Sequence, residues 1–191
     1  MAAGKVKVGY SLPYVALYKN TAGTISYESG QKLARGVEAS YDIETSDDNN
    51  FYADNIESES DSGTFQGGTL NLTVDGLLAA AEKLIMGLPT AADGLYAYDD
   101  DQVIPDCGVG YIYEYQMDGV HYWTPIIFPR VKFAQVTDSG TTRGDSTDWQ
   151  TQDLSASIKR AEDEKRRWRY FGEDQTTEAA AEAVIKEFLG I

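Results

Sequence analysis

The chain has 191 residues, of which 25% are charged and 42% hydrophobic, the size and composition of one soluble globular domain. Its formal net charge of −15 at pH 7 argues against nucleic-acid binding through a basic footprint. A single cysteine, Cys107, and a single histidine, His121, exclude an intrachain disulfide and the usual zinc sites.

No segment has the composition of a membrane anchor or a signal peptide. The apolar runs fall far short of the ~20 residues that a membrane-spanning helix needs, and the N-terminus lacks an apolar signal core. We therefore expect a soluble protein that needs no oxidising compartment.

Strand patterns open the chain. The alternation from Lys5 to Tyr10 and the apolar residues from Tyr14 to Tyr18 predict two short strands, or one strand broken by Pro13. A turn at residues 20–23 then leads into a brief strand at residues 24–27.

The segment from Leu33 to Leu77 predicts a strand, a long acidic excursion and a second strand. Apolar residues alternate up to Ile43 and again over residues 69–75, the period of half-buried strands. Residues 46–68 contain no Lys or Arg, and burying their unpaired carboxylates would cost several kcal/mol each. We interpret residues 46–68 as a projecting loop that orders against a partner through Asp47, Asp48, Phe51, Tyr52, Asp54, Glu57, Glu59 and Asp61.

The clearest helix follows the second strand. Asp75 is its predicted N-cap, and Gly87 with Pro89 ends it. The predicted buried stripe consists of Leu77, Leu78, Ala81, Leu84, Ile85 and Leu88. A second acidic loop is predicted over residues 91–106.

The strongest hairpin signal is Asp118-Gly119, flanked by strands at residues 107–117 and 120–124. One face of the first strand is rich in phenol rings and consists of Val109, Tyr111, Tyr113, Tyr115 and Met117. A further strand is predicted over residues 126–137, and a last one at Leu154, Ala156 and Ile158.

The end of the chain reverses the overall charge and then closes with a helix. Six basic residues fall within eleven positions, at Lys159, Arg160, Lys165, Arg166, Arg167 and Arg169. The closing helix is predicted to be capped near Thr176, with an apolar stripe of Ala180, Val184, Ile185, Phe188 and Leu189.

Catalytic and metal sites receive little support from these residues. A nucleophile would need His121 as its base, and that histidine lies in a predicted strand, fourteen positions from Cys107. Carboxylate pairs are too abundant to be informative, and Asp99 to Asp101 lack the spacing and glycine of a calcium loop. We expect no enzymatic activity, no metal and no cofactor.

The tyrosine face and the basic patch are the two strongest candidates for a functional surface. Each can also be explained by ordinary structural roles. The tyrosine face, with Trp123, fits a sugar-stacking platform, although core packing or a subunit interface explains it more simply. The basic patch fits a solvated segment, a partner for the acidic loop within one subunit, or a head-to-tail contact between subunits.

Taken in order, these segments resemble the major tail protein of long-tailed bacteriophages, the tail tube subunit. The resemblance is carried by order and pattern across nearly the whole chain. The segments concerned are residues 5–9 and 14–16, 33–43, Phe51-Tyr52-Ala53-Asp54, residues 69–74, and 119–123 leading to 131–133.

The resemblance implies a mainly β (α+β) fold, a β-sandwich of two crossed antiparallel sheets with a flanking helix and a C-terminal helix. Residues 1–172 would form one domain, and residues 173–191 a helical extension. Six copies would form a ring, and stacked rings a tube for viral DNA, with the loop at 46–68 reaching the adjacent ring. Asp42 and Glu44, on the polar face of the opening strand, are the lumen candidates.

The expected partners are further copies of this chain and other tail proteins, namely the tape measure, tail terminator and distal tail proteins. The protein would be made in the cytoplasm of the bacterial host and reside in the virion tail. Two alternatives stay open: the inner tube of a contractile injection or secretion device, and a carbohydrate-binding module.

Overall fold

The computed structural model of the chain describes residues 4–47, 49–53, 56–61, 63–90, 94–142 and 149–191, with the backbone alone between residues 49 and 61. Within these residues the chain forms a mainly β fold with two helices, as the sequence predicts. The strands are β1 (Val6–Thr21), β2 (Thr24–Lys32), β3 (Gly36–Thr45), β4 (Asn49–Ala53), β5 (Ile56–Asp61), β6 (Phe65–Val74), β7 (Asp106–Met117), β8 (Val120–Phe133), β9 (Gln152–Ile158) and β10 (Tyr170–Phe171). The helices are α1 (Ala79–Met86) and α2 (Glu178–Leu189).

The main sheet has eight strands and is antiparallel throughout. Its order is β2-β1-β7-β8-β9-β6-β3, with β10 beside β8, while β4 and β5 pair with each other as a separate two-stranded sheet. The family resemblance implies two crossed sheets, but hydrogen bonding here is continuous from β2 to β3. The reason is the length of β8, which pairs with β7 from Val120 to Lys132 and, on its other side, pairs with β9 from Val131 to Phe133.

The sheet folds back on itself, and the main core lies between its two halves. The Tyr113 hydroxyl on β7 donates a 3.1 Å hydrogen bond to the Ala39 carbonyl on β3, although these strands lie far apart in the sheet order. The rings of Tyr41 on β3 and Phe128 on β8 are 5.4 Å apart and pack edge to face. Burial of Tyr111, Phe128 and their aliphatic neighbours between the halves is the main source of stability.

Helix α2 covers the outer face of β1, β7 and β8. A second apolar cluster forms there between the helix and the strands. Its close approach requires Gly110, because a Cβ atom at that position would lie 2.6 Å from Cγ2 of Ile185. The helix begins after Thr177, whose hydroxyl accepts a 3.2 Å hydrogen bond from the Ala180 amide, one residue later than predicted.

The buried stripe of α2 is rotated from the predicted one. Ala181, Ile185 and Leu189 are buried, whereas Val184 is exposed, so the prediction for Val184 is wrong. Residues four positions apart lie on the same side of a helix, so the sequence allows an apolar stripe through Val184 as well as one through Ala181, Ile185 and Leu189. The way the helix packs on the sheet decides which of the two stripes is buried.

The predicted N-cap of α1 is also wrong. Leu78 occupies the cap position, without a side-chain hydrogen bond, and it is exposed. The Asp75 carboxylate instead accepts a 3.0 Å hydrogen bond from the Arg35 amide and pairs with the Arg35 guanidinium. Gly87 ends the helix in the left-handed conformation, as predicted.

Prolines interrupt the strands less than the sequence predicts. β1 is a single strand that passes Pro13 at an irregularity between Ser11 and Tyr14. β8 likewise continues through Pro125 and Pro129. The turn between β7 and β8 is confirmed, since Asp118 and Gly119 both have positive φ, 50° and 80°.

Candidate assembly surface

The acidic excursion is a β-hairpin, not a loop without structure of its own. β4 and β5 lie between β3 and β6 in the chain, and two hydrogen bonds of 2.9 Å between Ser46 and Thr64 connect the two sides of the excursion at its foot. Residues 65–68 belong to β6, so the predicted loop boundary at 68 is wrong. Among the described strands β4 and β5 pair only with each other, and an isolated two-stranded ribbon is marginally stable.

Six of the eight predicted contact residues lie in the described part of this hairpin. Asp47 is exposed at its foot. The structure gives backbone positions alone for five others, which lie on β4 and β5: Phe51, Tyr52, Glu57, Glu59 and Asp61. Asp48 and Asp54 lie outside the described residues.

Most residues of the basic patch contact other groups of the same subunit. Lys159 donates a 2.8 Å hydrogen bond to Asp106, and Arg167 pairs with Asp163 at 3.0 Å. Arg160 donates to the carbonyl of Phe65. Arg169 donates to the Tyr41 hydroxyl. Four of the six predicted residues are therefore held by intrachain contacts.

Lys165 and Arg166 differ from the other four basic residues. Both are exposed at a turn, and neither forms an ion pair with the part of the chain that the structure describes. These two cations remain available for a neighbouring molecule.

Asp106 organises the start of the basic segment. Its carboxylate contacts Lys159 and also Arg130, at 2.7 Å. Burial alone would raise the pKa of Asp106, but the hydrogen bonds from Lys159 and Arg130 hold that pKa below its usual range. The cluster keeps the segment that follows β9 against the sheet.

Asp42 and Glu44 lie on an open polar face of the sheet. The outer sides of β3, β6 and β9 are exposed or half-buried, and neither helix packs on them. Register places Asp42 beside Thr69 and Thr69 beside Ser157, so the polar residues run across all three strands. The face consists of Glu38, Ser40, Asp42, Glu44, Thr69, Asn71, Thr73, Asp153, Ser155 and Ser157.

The charge of this face is negative. Among its described side chains are four carboxylates, and Lys132 pairs in register with Ser157 at the β8 border. The Thr73 hydroxyl donates a 2.6 Å hydrogen bond to Asp153. The outer face of the sheet is thus apolar and covered over β1, β7 and β8, and acidic and open over β9, β6 and β3.

Cys107 and His121 are not brought together. Cys107 pairs in register with Val131, whereas His121 pairs with Gln116, about 30 Å away along β7 at ~3.3 Å per residue. Burial, with the nearby charge of Asp106, raises the pKa of the Cys107 thiol to about 12. The His121 ring lies 2.6 Å from the Glu114 carboxylate instead.

The tyrosine face lies inside the protein. Tyr111 and Tyr113 are 0% and 4% exposed, and their hydroxyls hydrogen-bond to each other at 3.4 Å. Trp123 lies beside the α2 cluster, apart from these rings. A flat exposed platform for a sugar is therefore not formed by these residues.

Metal-binding geometry is not found in the described residues either. In these ranges no three His, Cys, Asp or Glu side chains are placed to hold an ion. Asp99 accepts a 3.2 Å hydrogen bond from the Asp101 amide within an exposed loop.

Sequence reasoning missed the aromatic residues beside the basic patch. Phe65 at the foot of the hairpin stacks on Trp168, between Arg160 and Arg169. The available signal was a tryptophan next to arginines, which is typical of cation–π contacts.

None of the protein-family models matches this sequence, and no curated protein is similar to it. Across the described ranges, neither helix has the length and apolar character needed to cross a membrane.

Proposed function

We propose that this protein is the tail tube subunit of a long-tailed bacteriophage, a structural protein that assembles into stacked rings of six. The observation that carries the proposal is the open acidic face of β3, β6 and β9. In the described residues neither helix covers this face, which residues 134–137 border, and its side chains fit the wall of a channel for DNA.

The chemistry of the face suits passage of DNA without binding. Double-stranded DNA carries about one negative charge per 1.7 Å, so carboxylates at Asp42 and Glu44 repel it. Glu38 and Asp153 add two more carboxylates, and the other side chains of the face are small hydroxyls and one amide, which offer neither cations to phosphates nor rings to bases. We therefore propose that Asp42 and Glu44 line the lumen of the tube.

The hairpin supplies the second requirement, a contact between rings. A two-stranded ribbon that pairs with no other described strand of its subunit gains stability by packing on a partner. We assign it the contact with the adjacent ring, as proposed for residues 46–68 from the family resemblance.

Partners and location follow from this role. The tube would contact the tape measure, tail terminator and distal tail proteins in the virion, and DNA would pass without specific binding. The exposed Lys165 and Arg166 are proposed to meet acidic residues of a neighbouring copy, since the chain carries a net charge of −15 and such carboxylates are plentiful.

Imaging tests the proposal directly. Negative-stain electron microscopy and sedimentation velocity of the purified protein at rising concentration are expected to reveal rings and then tubes. A chain that stays monomeric at all concentrations, or that binds ligands on a glycan array, contradicts the proposal.

A further inference from the structure

Two aromatic rings from distant parts of the chain stack at the foot of the hairpin. Phe65 is the first residue of β6, and Trp168 lies in the segment that follows β9. Their centroids are 4.9 Å apart and their planes differ by 4°. Stacking of this kind restrains both the separation and the relative orientation of the segments that carry the rings.

Arginines enclose the stack on both sides. The Arg160 guanidinium lies 5.5 Å from the centroid of Phe65 and also donates to the Phe65 carbonyl. Arg169 lies 5.3 Å from the Trp168 ring and 5.0 Å from that of Tyr41. A continuous series of contacts thus connects the foot of the hairpin with Tyr41, a residue packed against the core.

Two described hydrogen bonds at the foot hold the ribbon together but do not fix its direction relative to the sheet. The Ser46–Thr64 hydrogen bonds join the two strands to each other. β4 and β5 pair with no further strand in the described part of the chain. Hydrogen bonds within a two-stranded ribbon leave it free to bend and twist relative to the sheet, so its direction needs a separate restraint.

We propose that Arg160, Phe65, Trp168 and Arg169 form a clamp, here called the foot clamp, that sets the direction in which the hairpin leaves the sheet. These are positioning residues, and the basic segment acts through them on the hairpin of its own subunit. In the foot clamp, Arg160 and Arg169 orient the hairpin of their own subunit, which differs from the predicted ion pairing across an interface.

The consequence for assembly rests on the proposed function. A hairpin that is already oriented loses less conformational entropy when it contacts the next ring, so assembly begins at a lower protein concentration. The orientation of the hairpin itself is a property of the monomer and does not depend on that function.

Distance measurement between two spin labels tests the orientation. Labels are attached to Ser58→Cys on β5 and Glu187→Cys on α2. The native Cys107 is buried, and its raised thiol pKa, about 12, keeps it unreactive under the labelling conditions. Electron–electron double resonance on the monomer is expected to give a narrow distance distribution in the otherwise unchanged chain, and a broad one after Trp168→Ala.

Two further variants make the test specific. Trp149→Ala removes a tryptophan that is 87% exposed, and it should leave the distribution narrow. Phe65→Leu removes the stacked ring but keeps an apolar side chain, so it broadens the distribution and replaces Trp168→Ala should that chain fail to fold. A distribution that is broad without any clamp substitution, or narrow in every variant, overturns the proposal.

Assembly is measured on the unlabelled variants. Trp168→Ala is expected to raise the concentration at which rings or tubes appear by about tenfold, while Trp149→Ala leaves it unchanged. If the unmodified protein never assembles, the proposed function fails, and the label distances still decide whether the foot clamp exists. If Trp168→Ala broadens the distance distribution but leaves assembly unchanged, the foot clamp exists and only its proposed effect on assembly is wrong.

Discussion

The Tyr14 hydroxyl donates a 2.5 Å hydrogen bond to the Glu182 carboxylate and so joins β1 to α2 across 168 positions of the chain. Lys186 pairs with the same carboxylate at 2.8 Å. One turn before the helix, Asp174 contacts Lys5 and Thr124. The polar attachment of the C-terminal helix therefore depends on two ionised carboxylates.

Acid is expected to weaken this attachment. Hydrogen bonds from Lys186 and Tyr14 lower the pKa of Glu182 below 4.5. Despite partial burial, Lys5 and Thr124 lower that of Asp174 below 3.8. A carboxyl whose pKa is depressed on folding stabilises the protein above its unfolded-state pKa, and loses that effect as pH falls through the folded-state value.

The melting temperature, followed by circular dichroism, should thus change little from pH 7 to about 5 and fall below about pH 4. Glu182→Gln should lower stability at pH 7 and reduce the acid-dependent loss. A Glu182→Gln chain that shows the same pH dependence as the unmodified chain contradicts this assignment.

The contact between Gly110 and Ile185 predicts a steric effect. A methyl group at Gly110 would approach Cγ2 of Ile185 to 2.6 Å, so Gly110→Ala should lower the free energy of unfolding by about 1–3 kcal/mol. Urea denaturation measures the change. Gly140→Ala is the matched control, since a Cβ at that exposed position meets nothing within 4 Å, and a loss of equal size there would refute the explanation.

Charge reversal on the open face should slow DNA without harming the fold. Asp42 and Glu44 are exposed, so the pair Asp42→Lys and Glu44→Lys is expected to change stability by no more than about 0.5 kcal/mol. In assembled particles the new cations would attract phosphate, and DNA ejection should become slower. The control is Glu187→Lys on the exposed side of α2. Equal ejection rates in all variants would contradict the assignment of Asp42 and Glu44 to the lumen.

Salt dependence, together with Lys165 and Arg166, which form no ion pair with the described residues, provides a test of the interface. If Lys165 and Arg166 meet carboxylates of another copy, assembly should weaken as salt rises from about 0.05 to 0.5 M, because exposed charges are screened. Arg166→Glu should weaken assembly and its salt dependence together, as measured by light scattering.

Lys19→Glu makes the same change of charge at a position paired with Glu28 inside the subunit. It should have a smaller effect than Arg166→Glu. Equal effects of the two variants would indicate a response to net charge and not to a contact at Arg166.

The sequence by itself determined the elements whose signals are local. Alternation at Leu154, Ala156 and Ile158 predicted β9, and Asp118-Gly119 predicted the β7–β8 turn, because strand period and positive φ are properties of a few neighbouring residues. The mainly β class and the two helices followed from the same kind of pattern.

Tertiary structure decided everything that depends on which surfaces meet. It joined the strands into one sheet through the far end of β8, selected Ala181 over Val184 as a buried position of α2, and brought Trp168 onto Phe65. It also turned Val37 outward, where the register between β3 and β6 shifts. Such outcomes are set by contacts between residues that lie from tens of positions to about a hundred positions apart, and a local pattern that is compatible with several of these contacts cannot choose among them.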